Sequence, residues 1–510
     1  MDNLKEQIAV GSFWNFLMVL VARIGGLIFT ILLARFLQPQ NFGIYNLALS
    51  IALILLVSID TGINQSILRY VSEAIGKGEK KRAAADYKYL FRLKMMITIG
   101  ISLSLLVLAY PLSMYVFKKP LLFLPLLLSS LYVLAYSLGS FYEYFFYAIE
   151  KVKFITVKQF LFEISRITGI LLMFYFLDRS KYVIGTITIL IIAIVLSGLF
   201  LLINMRTVSP YIFERNNETV DKKRIFRFFI SLGTIGSLLV LFGYIDILMI
   251  GIFLEAEYVG FYSAVYALTA GLWSFLNISN VMLPIMTKLK KADLENSTNK
   301  LIKYLLVLSV PAAFGILILG SYFIELIYGA QYLPGALSFY ILSVMIIEVP
   351  LISLITSIFS AREKPKFVIR IIIITTFLNI ILNYILIKLL LNISPTLAIA
   401  GAALATVISH LFYLIGLIIF AKRELNMHLK ISYLLKPLAA SIIMGSVLYL
   451  INLKIELNFA YAVLEIVLGI TIYFLAMVLI KGIEKNDFRI LKNVIRNFSS
   501  KHFLTSHKQN

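Results

Sequence analysis

The sequence predicts an all-α integral membrane protein of about fourteen helices, and three observations carry that prediction. Of its 510 residues, 60% are hydrophobic and only 14% charged, a balance that water-soluble globular chains do not reach. Apolar runs of 18 or more residues recur from one end to the other, each long enough to cross a hydrocarbon core about 30 Å thick. The basic residues fall between those runs rather than within one domain. Runs such as Ile189 to Ile203 and Ile466 to Ile480 carry no charge and no two-residue alternation, so they are helices and not barrel strands.

Taken in order, the predicted spans are 10–33, 42–67, 95–117, 121–148, 155–177, 183–204, 228–252, 259–286, 304–324, 335–360, 371–387, 396–420, 437–453 and 460–480. The first is read as a retained helix, because no small-residue cleavage pattern follows it. With the N-terminus inside, 38 of the 47 Lys and Arg fall on inside segments and 7 on outside segments. An error of one helix would invert every later loop, so this alternation predicts a multi-pass protein of the cell membrane with both termini cytoplasmic. The basic loop from Arg69 to Lys94 and the tail from Lys481 face membrane lipids on that side, chiefly as orientation signals.

The net charge of +21 does not indicate nucleic acid, since the basic residues are neither clustered in a domain nor interleaved with stacking aromatics. With no cysteine, disulfides, thiolate metal sites and cysteine nucleophiles are excluded. No Asp-x-Asp, His-Glu-x-x-His or phosphate-loop motif occurs, and no loop exceeds about thirty residues, so neither an enzyme nor a cofactor is expected.

The chain also repeats itself. Phe36-Leu37, Gly43 and Tyr45 return as Phe253-Leu254, Gly260 and Tyr262, an offset of 217. Ala148, Glu150-Lys151 and Lys153-Phe154 return as Ala361, Glu363-Lys364 and Lys366-Phe367, an offset of 213. Six helices separate the copies, an even number, so the halves run parallel about a pseudo-two-fold axis along the membrane normal. The predicted domains are a six-helix lobe over 1–215, a second over 216–425, and two further helices with a basic cytoplasmic tail over 426–510. Asn216-Asn217 and the run Lys222 to Arg224 belong to the linker between lobes.

Gly11-Ser12-Phe13-Trp14, Ala34-Arg35-Phe36-Leu37, Phe42-Gly43-Ile44-Tyr45 and Gly62-Ile63-Asn64 resemble the oligosaccharide flippases of polysaccharide biosynthesis, within the multidrug/oligosaccharidyl-lipid/polysaccharide exporter superfamily. The resemblance spans essentially the whole chain. It implies two lobes around a central cavity, alternating access, and flipping of a polyprenyl-(pyro)phosphate-linked oligosaccharide from the cytoplasmic leaflet outward, in company with glycosyltransferases or a glycan polymerase. None of the matching motifs is a substrate-contact motif. A cation-coupled multidrug or metabolite antiporter of the same superfamily is the competing expectation.

Ionisable residues inside spans are costly and mark function by default. Arg23 and Arg166 lie roughly 20 Å and 17 Å from the inner ends of their helices, near mid-depth, and suit a phosphate or pyrophosphate headgroup. The competing role for Arg166 is a salt bridge to Glu163 at i,i+3; for Arg23 the candidate partner Asp60 is mismatched in depth by roughly 10 Å. Asp246 and Glu348 are the candidate ion-coupling carboxylates, for H⁺ or Na⁺, against the alternative of acids bonded by Tyr, Asn or Ser. Asn277, Asn280, Asn379 and Asn383 are candidates for a sugar-facing cavity or for helix-to-helix hydrogen bonds. Tyr142, Tyr144 and Tyr147 could stack on sugar rings or form an interfacial belt; Glu143 and Glu465 are expected to reach the interface, and His410 to pack.

Overall fold

The computed structural model describes residues 2–214, 218–277, 286, 287, 289–453 and 458–483. Asn216, Asn217, Asn280 and the tail beyond 483 lie outside the described residues.

Helices make up the membrane part throughout. The first, α1, runs over Asp2–Ser66 and contains a break at Gln38, with φ 63° and ψ 165°. Pro39 explains the break: its ring excludes helical ψ for the residue before it, so the chain turns there and a second span begins. The apolar stretch Val10–Val57 is 48 residues long, on the order of 72 Å as a helix, which is two crossings rather than one.

There follow α2 (Lys80–Pro111), α3 (Phe123–Ala148), α4 (Val152–Phe176), α5 (Tyr182–Val208), α6 (Lys222–Phe253), α7 (Ala256–Leu276) and α8 (Lys291–Tyr328). After a 3-10 turn over Ala330–Gly335 come α9 (Ala336–Leu342), α10 (Met345–Ala361), α11 (Pro365–Leu391), α12 (Pro395–Leu425), α13 (Leu435–Asn452) and α14 (Phe459–Leu479). The span expected over 335–360 is broken at Ser343–Val344 into α9 and α10. Counting α1 as two crossings and the broken pair as one yields fourteen spans among the described residues.

The expected loop from Arg69 to Lys94 is mostly helical: a π turn over Ile67–Val71, a short helix Ser72–Gly76, and α2 from Lys80 onward. Ala83, Ala84 and Tyr87 are buried against α3 and α5 side chains in one core cluster, and this packing carries α2 beyond its apolar stretch.

Two compact units contain the chain. One comprises 1–271, 324–342 and 365–413; the other comprises 272–323, 343–364 and 414–510. Within the first unit the repeat is visible as contact. A methyl group on Gly43 would sit 1.7 Å from the carbonyl oxygen of Ala256, and one on Gly260 would sit 2.0 Å from that of Pro39. The two glycines that recur at offset 217 are therefore the points where the α1 turn and the start of α7 touch backbone to backbone. The same seam continues along α6, where Gly251 meets Leu47, Gly236 meets Thr61, and Gly62 meets the Phe229 carbonyl. Arg35 reinforces it by donating to the carbonyls of Leu326 and Ile327 at the end of α8, while Tyr332 Oη donates to Ala34 O at 2.7 Å.

The second repeat match is a shared helix ending. Glu150 and Glu363 both adopt left-handed backbone, with φ of 60° and 55°. Lys151 N donates to Phe146 O at 3.0 Å, and Lys364 N to Phe359 O at 2.9 Å. This is the reversal that closes many helices, made at both copies of the match without glycine. Within the second unit α13 and α14 pack on each other and on α8, where Tyr473 Oη donates to Val307 O at 2.8 Å.

Gly260→Ala should lower the thermal midpoint in detergent, by the equivalent of about 1–3 kcal/mol, since the methyl group meets backbone and not a movable side chain. Glu150→Gly should act oppositely, gaining about 0.5–1 kcal/mol by relieving the left-handed conformation; unchanged or lowered melting of that variant would contradict the assignment of strain there.

Candidate functional site

Three polar constellations are buried in the first unit. The seam between α1 and α4 holds the first. Gly25 and Gly26 leave room on α1, and Glu163 packs against Gly25 so closely that a Cβ there would lie 2.3 Å from its Oε2. Arg166 bonds that same oxygen, with Nη2 at 2.6 Å and Nε at 2.7 Å, and Gln159 Nε2 donates to the other oxygen at 2.9 Å. The salt bridge considered from the i,i+3 spacing is thus present. It uses one edge of a guanidinium that has five N–H donors. Phe29 and Phe162 cover its faces, 4.4 and 4.7 Å from the ring centroids.

Arg166 lines a cavity of about 220 Å³ with Thr30, Tyr45, Asn46, Ser50 and Tyr244. Phe29, Leu33, Phe42, Leu49 and Leu53 complete the lining, and Thr30, Asn46 and Ser50 spend a donor each on carbonyls of their own helix, so these three offer chiefly acceptors to that space. Arg23 is half-buried three residues before Gly26 and is not among the residues lining this cavity.

The second constellation surrounds Asp246 on α6. Its carboxylate accepts hydrogen bonds from Tyr262 Oη at 2.6 Å, Asn383 Nδ2 at 2.8 Å and Thr406 Oγ1. Asn379, fully buried, donates to Thr406 Oγ1 at 3.5 Å, and its backbone carbonyl accepts from Asn383 Nδ2 at 3.0 Å. The structure therefore places Asn379 with Asp246 and not at the Arg166 cavity. The side-chain oxygens of Asn379 and Asn383 have no hydrogen-bond partner among the described residues.

The repeat relates these two seams. At offset 213 Asn379 is the counterpart of Arg166, and at offset 217 Asp246 is the counterpart of Phe29. In each copy the first and fifth helices meet at one polar position, cationic in the first and anionic in the second.

The third constellation was not anticipated. Lys94, expected at the end of a cytoplasmic loop, is 1% exposed on α2 and pairs with Asp60 at 3.1 Å. Its ammonium also donates to Asn64 Oδ1 at 2.8 Å and Ser140 Oγ at 2.9 Å, while Ser137 and Ser140 donate to the Asp60 carboxylate. Asp60 is thus the partner of Lys94. The available signal was a lone lysine opening the apolar run Met95 to Leu108, one turn beyond Phe91.

Glu143 pairs with Lys158 at 2.8 Å. Tyr142, Tyr144 and Tyr147 pack against the core cluster, and Tyr147 Oη lies 3.3 Å from Met18 Sδ. His410 stacks on Phe242 at 4.8 Å.

The second unit holds the remaining candidates. Asn277 Oδ1 accepts from Ser353 Oγ at 3.0 Å. Glu348 is 1% exposed, and neither carboxylate oxygen has a hydrogen-bond partner among the described residues. Glu465, expected to reach the interface, is 5% exposed and lines a cleft of about 520 Å³ between α13 and α14, beside Asn452. Among the described residues no three His, Cys, Asp or Glu side chains come together as a metal site.

A multi-pass helical bundle with a repeat and with polar sites at its internal seams is the architecture of a membrane transporter. Residues 8–290 match the family described as polysaccharide biosynthesis protein, and the chain belongs to that family. It is 25% identical over 264 residues to the probable low-salt glycan biosynthesis flippase Agl15 of Haloferax volcanii, a match that takes in 50% of this chain and 53% of that protein. The chain thus spans about half the length of the curated relative it matches. Its fold is shared with lipid II flippase MurJ in an inward closed conformation, at TM-score 0.69 and 18% identity over 92% of this chain and 98% of that one. An inward-facing multidrug resistance MATE transporter has the same fold at TM-score 0.61 and 12% identity, over 80% and 94%.

Lys94→Met leaves Asp60 buried without its cation and should cost about 3–5 kcal/mol. Adding Asp60→Leu should restore most of it, because a neutral pair removes the stranded charge. A double-variant cycle on thermal unfolding tests this, and additive losses would contradict the pairing.

Proposed function

We propose that this protein is a flippase that carries a polyprenyl-(pyro)phosphate-linked oligosaccharide from the cytoplasmic to the outer leaflet of the cell membrane by alternating access, with both termini cytoplasmic and no covalent chemistry of its own. Family membership in polysaccharide biosynthesis supports it, as does the name of the glycan-flippase relative. The observation that carries it is the cavity at Arg166. An anionic phosphate needs a cation with N–H edges to spare, and Arg166 keeps most of its donors after serving Glu163. A first sugar needs hydroxyl and amide partners, which Thr30, Asn46, Ser50 and Tyr244 supply. Arg23 is assigned to the same headgroup on its path along α1, and Asn277 to the glycan.

Asp246 is assigned to ion coupling. One carboxylate among hydroxyls and two amide oxygens lacking donors suits a single monovalent ion, Na⁺ or H⁺, better than a divalent one, which calls for more negative charge. Glu348, buried without a hydrogen-bond partner among the described residues, is assigned as a second carrier of a proton. Glycan polymerase or glycosyltransferases supply and consume the cargo.

Leaflet-resolved translocation of lipid-linked oligosaccharide in proteoliposomes tests the reading. Arg166→Ala should slow flipping by about 10- to 100-fold, the value of one charge-assisted pair. Asp246→Asn should remove dependence on a Na⁺ or proton gradient while leaving headgroup binding intact. Failure of the unaltered protein to flip any lipid-linked sugar, together with ion-driven efflux of an organic cation that Asp246→Asn abolishes, would instead establish an antiporter.

A further inference from the structure

At the start of α6, roughly 33 Å along that helix from Asp246, lies a cleft that neither candidate site uses. Its volume is about 580 Å³, and Arg69, Tyr70, Lys223, Arg224, Arg227 and Phe228 line it. Asp221 is the one acid in the lining, and it is engaged in capping α6, accepting from Arg224 N at 3.0 Å. The charge of the cleft is therefore strongly positive.

Aromatic rings hold the guanidinium groups in place. Arg69 lies 4.6 Å from the Phe228 ring centroid and Arg224 lies 5.1 Å from that of Tyr70, whose hydroxyl in turn donates to Arg224 O at 3.4 Å. Such faces hold a guanidinium plane without using its N–H edges; Arg224 spends one donor on Glu73 at 3.4 Å, whereas Arg69 has no carboxylate partner among the described residues. Among the described residues the Arg69 side chain meets only the rings of Tyr70 and Phe228 and makes no hydrogen bond. Arg69 itself stands on the π turn Ile67–Val71, where it and Leu68 are both exposed.

That pairing identifies the occupant. Leu68 and Phe226 are exposed apolar residues adjacent in sequence to Arg69 and Arg227, at the end of an apolar span. Cations beside exposed apolar side chains at a span end match a phosphate headgroup above acyl chains. We propose that this cleft binds the phosphodiester headgroup of an anionic membrane phospholipid, with Arg69 and Lys223 contributing much of the attraction. The site is independent of the transported cargo, since it shares no residue with the Arg166 cavity.

The full chain, purified and stripped of lipid, is titrated with phosphatidylglycerol and with phosphatidylcholine and followed by native mass spectrometry. Phosphatidylglycerol should bind in preference, and Arg69→Gln/Lys223→Gln should weaken it roughly 25-fold, at about fivefold per basic residue. A matched loss of charge elsewhere, Lys422→Gln/Arg423→Gln, should change nothing. Should the double variant fail to fold, Lys223→Gln alone, on an exposed residue, should still weaken binding about fivefold. Equal binding of the two lipids, undiminished binding by the cleft variants, or displacement of phosphatidylglycerol by millimolar inorganic phosphate would each overturn the assignment, the last by making it a site for soluble phosphate.

Discussion

Hydrocarbon offers no hydrogen bonds, and the rest of this structure answers to that constraint. Each span must close its own backbone, so the chain is helical wherever it crosses, and the break at Gln38 falls where neighbouring protein absorbs it. The break at Gln38 is packed against α7 through Gly43 and Gly260, and Tyr332 and Arg35 engage carbonyls that the turn and the end of α8 would otherwise present unpaired. Three buried charges of the first unit obey the same rule, whereas Glu348 in the second unit has no hydrogen-bond partner among the described residues. Asp60 meets Lys94, Glu163 meets Arg166, and Asp246 is surrounded by donors.

These pairs are not equivalent. Lys94 and Asp60 satisfy each other and three neighbouring polar side chains, an arrangement that fixes how the second half of α1, α2 and α3 pack. Arg166 is only partly satisfied and faces open space. Asp246 is satisfied on its own account, yet the amide oxygens beside it are not. Incomplete satisfaction separates a site from a strut, because a buried group lacking a partner is stabilised by whatever ligand provides one.

The repeat gives this division its geometry. The offsets bring two helix pairs into correspondence, and the matched positions differ in chemistry: Phe29 and Arg166 in one, Asp246 and Asn379 in the other. One seam thus carries a buried cation and the other a buried carboxylate at matched positions. The retained glycines, Gly43 and Gly260, and the retained left-handed turns at Glu150 and Glu363 are backbone requirements, which tolerate less divergence than side-chain chemistry does.

From the sequence alone, the solvent, the number of crossings, the internal repeat and the chemical types at Arg166 and Asp246 could be read, since each follows from composition or from spacing along one helix. The Glu163–Arg166 bridge was legible for the same reason, being three residues apart on a single helix. Lys94 was not. Its partner lies 34 positions earlier on another helix, and only packing turned a lysine at a span's edge inward. The neighbours of Asn379 could not be named until α11 was seen against α6 and α12, nor the surroundings of Glu465 until α13 was seen beside α14. Periodicity and charge are properties of single segments and survive in the linear chain; which polar groups end up sharing a buried site depends on contacts between distant segments, and only the tertiary structure decides those.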